Sequence, residues 1–237
     1  MSKFLEFNLT YNLSELATNA IREKSDIIKL LLHAIRSINT NIEVQDKELG
    51  KMYIHISKMS RITFSINFMD GHYQKNFSFA FPFAIKINEE IEVYSVGNDI
   101  IIDSTIINVL LELAEENWFY EKEQQQEDMY EFLGMIGETN RAYEVDEQLE
   151  KKIWIIAKEL FLFEPGYIRY DYDADPERLN PDSHPLHHID LFFSSRATFK
   201  LGIEEAIISN RIFSANELME LLDSSTDCGF INYKKAR

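Results

Sequence analysis

Residues 61–81 constrain this fold more than any other stretch. Two runs, 61–69 and 72–81, alternate apolar and polar side chains, and Asp70-Gly71 stands between them. That dipeptide tolerates positive φ at both central positions of a two-residue hairpin turn. Closing the hairpin there pairs Phe68 with Tyr73, Ile66 with Lys75, Phe64 with Phe77 and Ile62 with Phe79. One face becomes almost wholly apolar, while Thr63, Ser65, Asn67, Asn76 and Ser78 take the other. A slip of one residue would exchange the two faces, so pattern and turn fix the register together. A sheet with one apolar face needs a second layer, and helical patterns on both sides of the hairpin can supply it.

Upstream, 3–9 reads as a short strand or arm. Helices are expected at 13–23 and 26–38, the second capped by Ser25 and apolar over much of its circumference. Strands are expected at 52–57, 84–87, 92–95 and 99–102, with turns at Asn88 and Gly97-Asn98, and a helix from Ser104 towards Trp118 and Tyr120. Residues 121–143 form the natural boundary. They are polar at first and interrupted by Gly134 and Gly137, yet Met129, Phe132, Leu133 and Ile136 form an apolar cluster suited to docking on a lobe or to self-association. A helix at 145–162 follows, stopped by Glu164-Pro165-Gly166, then strands at 167–172, 187–193 and 198–201. Ser214-Ala215-Asn216-Glu217 has capping-box spacing ahead of a last helix. The expectation is an α+β fold of antiparallel meanders flanked by helices, in two helix–meander–helix lobes. Residues 1–120 would form one lobe and 144–237 the other, with 121–143 as an acidic connector.

Charge narrows the partners. The chain carries a net charge of −16, and between Glu112 and Glu150 it has 13 acidic residues against Lys122 and Arg141 alone. Nucleic-acid affinity comes mainly from Lys and Arg displacing counterions, so general nucleic-acid binding is disfavoured. A basic protein partner, mimicry of nucleic acid, or simply a solvated acidic helix face fits such a stretch. One cysteine in 237 residues excludes an internal disulfide and a cysteine-rich zinc knuckle. Residues 1–6 lack the apolar segment of a signal peptide, and no run reaches the roughly 18 apolar residues of a membrane span. A cytoplasmic protein without a membrane anchor is the expectation, and a homo-oligomer is compatible with it.

Candidate chemistry gathers between residues 167 and 193. On a strand, Arg169, Asp171 and Asp173 share one face, and Ile168, Tyr170 and Tyr172 the other. The polar run 174–183 reads as a surface loop, and Pro176 with the lack of a central glycine makes it a poor match to an EF-hand. Pro185 forces His184 away from helical geometry, which removes the argument from two zinc-binding histidines one helical turn apart. On the following strand His188 and Asp190 point one way, while His187, Ile189, Leu191 and Phe193 point towards the core. If the strands pair, Arg169, Asp171, His184, His188 and Asp190 share one polar surface. His184, His188 and Asp190 would suit a divalent metal, the one cofactor that the residues suggest. Arg169 can hold a carboxylate or phosphate through its planar fork. The same residues also suit a His–Asp general-base pair, or a hydrogen-bonded network with no ligand. Ser194 and Ser195 lack the strained elbow of an activated nucleophile, and no phosphate-loop glycine pattern occurs.

Residues 163–222 resemble a family of bacterial domains of unknown function, whose members carry an Arg-x-Asp-Tyr-Asp strand, a spacer and His-Pro-x-x-His before a hydrophobic strand. Here those positions are Arg169, Asp171, Tyr172 and Asp173, then His184, Pro185 and His188. The family's next segment, Arg-apolar-Pro, is replaced by Lys200-Leu201-Gly202. The resemblance covers about the last third of the chain and implies that the cluster is one unit; it supplies no reaction. It implies a bacterial accessory or interaction protein, as in a defence or mobile-element operon, with a polar ligand site in the C-terminal lobe. The alternatives are a metal-dependent hydrolase of phosphodiesters and an acidic inhibitor that mimics nucleic acid.

Overall fold

A computed structural model describes residues 3–40, 49–57, 60–67, 73–87, 91–116, 128–177, 179–180, 185–194, 197–202 and 214–222. The strands are β1 (Lys3–Asn8), β2 (Lys51–Ile56), β3 (Arg61–Asn67), β4 (Tyr73–Ala80), β5 (Phe83–Ile87), β6 (Ile91–Ser95), β7 (Tyr167–Asp173), β8 (His187–Ser194) and β9 (Ala197–Gly202). The helices are α1 (Tyr11–Thr18), α2 (Lys24–Thr40), α3 (Ser104–Glu115), α4 (Asp128–Ala142), α5 (Glu147–Leu162) and α6 (Ala215–Leu222). The fold is α+β, and every strand pairing among the described residues is antiparallel. None of the described helices is long and apolar enough to cross a membrane.

The larger sheet has seven strands in the order β1-β2-β3-β4-β7-β8-β9, and β5-β6 form a separate pair. Its β3–β4 register is the expected one, with Ile62 opposite Phe79, Phe64 opposite Phe77 and Ile66 opposite Lys75. The Asp70-Gly71 turn itself lies outside the described residues. Residues directly opposite one another share a face, so Met52, Ile54, Ile62, Phe64, Phe77 and Phe79 form one apolar surface, and all are buried. Phe64 and Phe77 stack with ring centroids 4.9 Å apart. The opposite face is buried as well: Thr63 donates to Ser78, whose hydroxyl donates to the Ile62 carbonyl.

The chain divides differently from the expected lobes. One compact unit comprises residues 1–14, 44–81 and 166–237, and the other 15–43 and 82–165. The described part of the expected connector, 128–143, falls within the second unit. The reason for the different division is β7, which leaves the second half of the sequence to pair along β4, with Lys75 opposite Asp171 and Phe77 opposite Arg169. Gly134 and Gly137 also fail to interrupt their segment, because α4 runs through both. It packs on α3 and α5, with Ile136 buried.

Local signals fared unequally. Ser25 lies inside the first turn of α2 and caps nothing; the Asp26 carboxylate instead accepts from the amides of Arg22 and Glu23. Residues 99–102 contribute a single bridge, Ile101 to Tyr94, rather than a strand. The Ser214–Glu217 capping box is present in full: the Glu217 amide donates to the Ser214 hydroxyl, and the Ser214 amide donates to the Glu217 carboxylate. α5 ends at Leu162, and Gly166 enters β7 at φ +49°, a left-handed conformation that favours glycine.

Candidate functional site on β7 and β8

The site is a patch of charge on the sheet face that carries Phe64, Phe77 and Phe79. In β7–β8, Asp171 lies opposite His188 and Arg169 opposite Asp190. In β4–β7, Lys75 lies opposite Asp171. Three neighbouring strands thus set Lys75, Asp171 and His188 in one row, with Phe77, Arg169 and Asp190 in the next. The alternation that buries Phe64, Phe77 and Phe79 also turns these charged groups inward.

Within the patch, Arg169 Nε stands 2.8 Å from Asp171 Oδ2, and a terminal nitrogen of the same guanidinium contacts Asp190 Oδ2. Side-chain exposure is 0% for His188 and 3% for Asp171, rising to 17% for Arg169 and 22% for Asp190. The cluster is therefore sealed at its His188 end and open to solvent at its Arg169–Asp190 end. His188 Nδ1 lies 2.9 Å from the Pro185 carbonyl. A carbonyl can only accept, so Nδ1 carries the proton, and in the neutral ring the lone pair is on Nε2. Nε2 in turn lies 3.2 Å from Asp171 Oδ2.

Electrostatics at this face follow from burial. Burial opposes ionisation of Asp171, but the hydrogen bond that the doubly protonated His188 ring donates to it and the Arg169 guanidinium, helped by Lys75, outweigh burial and hold the carboxyl below its ordinary value. Burial, reinforced by Arg169 and opposed by Asp171, lowers Lys75 to about 7. Its ammonium nitrogen lies 4.9 Å from the Phe77 ring centroid, within reach of the ring's negative face. Burial also raises the Tyr167 phenol well above its ordinary value, which keeps it neutral.

One ligand atom from each of Asp171, His188 and Asp190 lies within 4.8 Å of the others, so this group could hold a metal ion. Of the residues expected at the site, Arg169, Asp171, His188 and Asp190 come together in one cluster. His184 lies outside the described residues. Asp173 shares the face but is turned to local structure, since its carboxylate accepts from the Asp175 amide in an Asx-turn. His187 faces the other way, buried, and shares a 2.7 Å hydrogen bond with the Tyr170 hydroxyl. On that side Ile168, Tyr170 and Ile189 pack with Leu218 of α6. Sequence reasoning missed Lys75, although its signal was present: the expected hairpin register set a lone lysine in the apolar file of β4. Neither a protein-family model nor a curated protein nor a solved structure matches this chain, so its functional reading rests on this geometry.

Proposed function

We propose that this chain is a ligand-binding protein that holds its ligand through a divalent cation on Asp171, His188 and Asp190. The observation that carries this reading is the aim of His188. Its Nδ1 is committed to the Pro185 carbonyl, so the neutral ring turns a lone pair towards a carboxylate oxygen. Two acceptors that face each other need a proton or a cation between them. Fixing one ring nitrogen on a backbone carbonyl so that the other can ligate is the usual support of a metal-binding histidine. Two carboxylate oxygens and one imidazole suit a first-row divalent ion and leave coordination positions for the ligand. The partly exposed Arg169–Asp190 edge gives a way in.

Equilibrium dialysis of the purified protein against Mn2+ and Zn2+ tests the reading. Close to one ion per chain is expected, falling at least tenfold in affinity in His188→Ala and Asp190→Asn. Equal ion content in wild type and both variants would sink it.

A second reading, metal-dependent hydrolysis of a phosphodiester, is favoured by the Arg169 guanidinium beside the carboxylates. A bound ion would supply Lewis acidity and an activated water, while Arg169 would hold the phosphate. Turnover of an activated phosphodiester by the Mn2+-loaded protein, lost in Asp171→Asn, is the expected result on this reading. Ion binding without turnover would leave the binding reading alone.

A further inference from the structure

Resting on the cation site just proposed, we infer that Arg169 competes with the metal for that site, and that a phosphate dianion, by drawing the guanidinium away, strengthens binding of the ion. The guanidinium contacts the Oδ2 atoms of both carboxylates, and Asp171 Oδ2 is also the oxygen that His188 Nε2 approaches. An ion ligated by these groups at about 2.0–2.2 Å would therefore compete with the guanidinium for the same oxygens. Buried cations so close together repel strongly, since little water screens them.

The guanidinium has a place to go. Arg169 and Asp190 form the exposed end of the cluster, whereas Asp171 and His188 are sealed. Swinging outward takes Arg169 from two carboxylates to solvent, an unfavourable exchange unless an anion receives it. A planar guanidinium matches a phosphate with two parallel hydrogen bonds, and a dianion replaces the combined charge of the two carboxylates that it gives up. Charge balance points the same way. A divalent ion alone raises the charge of a buried cluster by two, and a phosphate dianion cancels that increase. A monoanion such as acetate cancels only half. Cation and phosphate should thus bind as a pair, each raising the affinity for the other by the same factor. The ligand class that follows is a phosphate monoester or free phosphate, taken up together with a divalent ion.

Mn2+ titration of the full chain followed by electron paramagnetic resonance tests this, with no addition, with 1 mM phosphate and with 1 mM acetate. In wild type, phosphate should strengthen Mn2+ binding at least tenfold, and acetate should do so less than twofold. Arg169→Gln should bind Mn2+ tightly without phosphate and show no response to it. Arg169→Lys, which keeps the charge but loses the fork, should retain only part of the coupling. Wild-type Mn2+ binding that is indifferent to phosphate would overturn the competition while leaving the cation site standing. Absence of Mn2+ binding in wild type and Arg169→Gln alike, with phosphate present, would overturn both. The wild-type arms decide the matter even if a variant fails to fold.

Discussion

A lysine placed in the apolar file of a strand must give up either its water or its charge. Lys75 is buried beside Phe77, and its lowered value of about 7 means that the folded chain releases a proton that the unfolded chain keeps up to about 10.5. Between those values the unfolded state binds more protons, so stability rises with pH. Metal-free protein in EDTA should therefore gain stability from pH 7 towards pH 10, by up to about 1.4 kcal/mol per pH unit from this group. Lys75→Met should flatten that slope in urea unfolding; an unchanged slope would show that Lys75 keeps its charge when folded. Asp171 acts at the other end of the scale. Its folded carboxyl lies below the ordinary 3.8, so its contribution is present above that value and is lost as pH falls through the folded one. Asp171→Asn takes a carboxylate from Arg169 and should cost about 3–5 kcal/mol at pH 7, the usual penalty for breaking a buried pair. The difference from wild type should narrow below pH 4.

At the scale of elements, the strongest signals carried by neighbouring residues were legible, although Ser25, Gly134 and residues 99–102 misled. The β3–β4 register follows from alternation that admits a single pairing, and the start of α6 follows from one serine and one glutamate at the right spacing. The pairing of Arg169 and Asp171 with Asp190 and His188 was conditional in the sequence and is realised by β7–β8. Burial of that polar face was not legible, because it depends on which strand lies on the far side of β7. The sequence offers no local rule for that choice, and Lys75, a charge waiting for an opposite, was its one trace. The two faces of β7 should respond independently. Leu218→Ala on the α6 side should cost about 2–5 kcal/mol, and Ser214→Ala about 1 kcal/mol through the lost cap. Neither should alter Mn2+ affinity under native conditions. A change beyond threefold in either variant would mean that α6 helps to set the site on the opposite face.

On the scale of the whole chain, the seven-stranded sheet is assembled from segments far apart in sequence, and this decides which fragments can fold. Residues 144–237 look like a self-sufficient lobe when read in order, since they hold a helix, a meander and a last helix. In the structure their first strand, β7, forms one ladder with β8 and the other with β4, which that fragment lacks. Cutting β4 away leaves a row of unpaired backbone groups on β7, removes the Phe77 ring whose centroid lies 5.8 Å from that of Tyr167, and removes the lysine opposite Asp171. Two helices and a three-stranded remnant with an ionic cluster on its face have too little apolar area to offset the loss of chain entropy. Residues 144–237 alone should thus show no cooperative urea transition and poor amide dispersion by NMR, whereas the full chain should unfold cooperatively. A fragment that folds cooperatively and binds Mn2+ like the full chain would show that β4 is dispensable. In that case the row of Lys75, Asp171 and His188 would be incidental to the site. The same long-range pairing predicts slow folding for the intact protein, because β4 must wait for a strand whose paired residues follow its own by 90 to 100 positions.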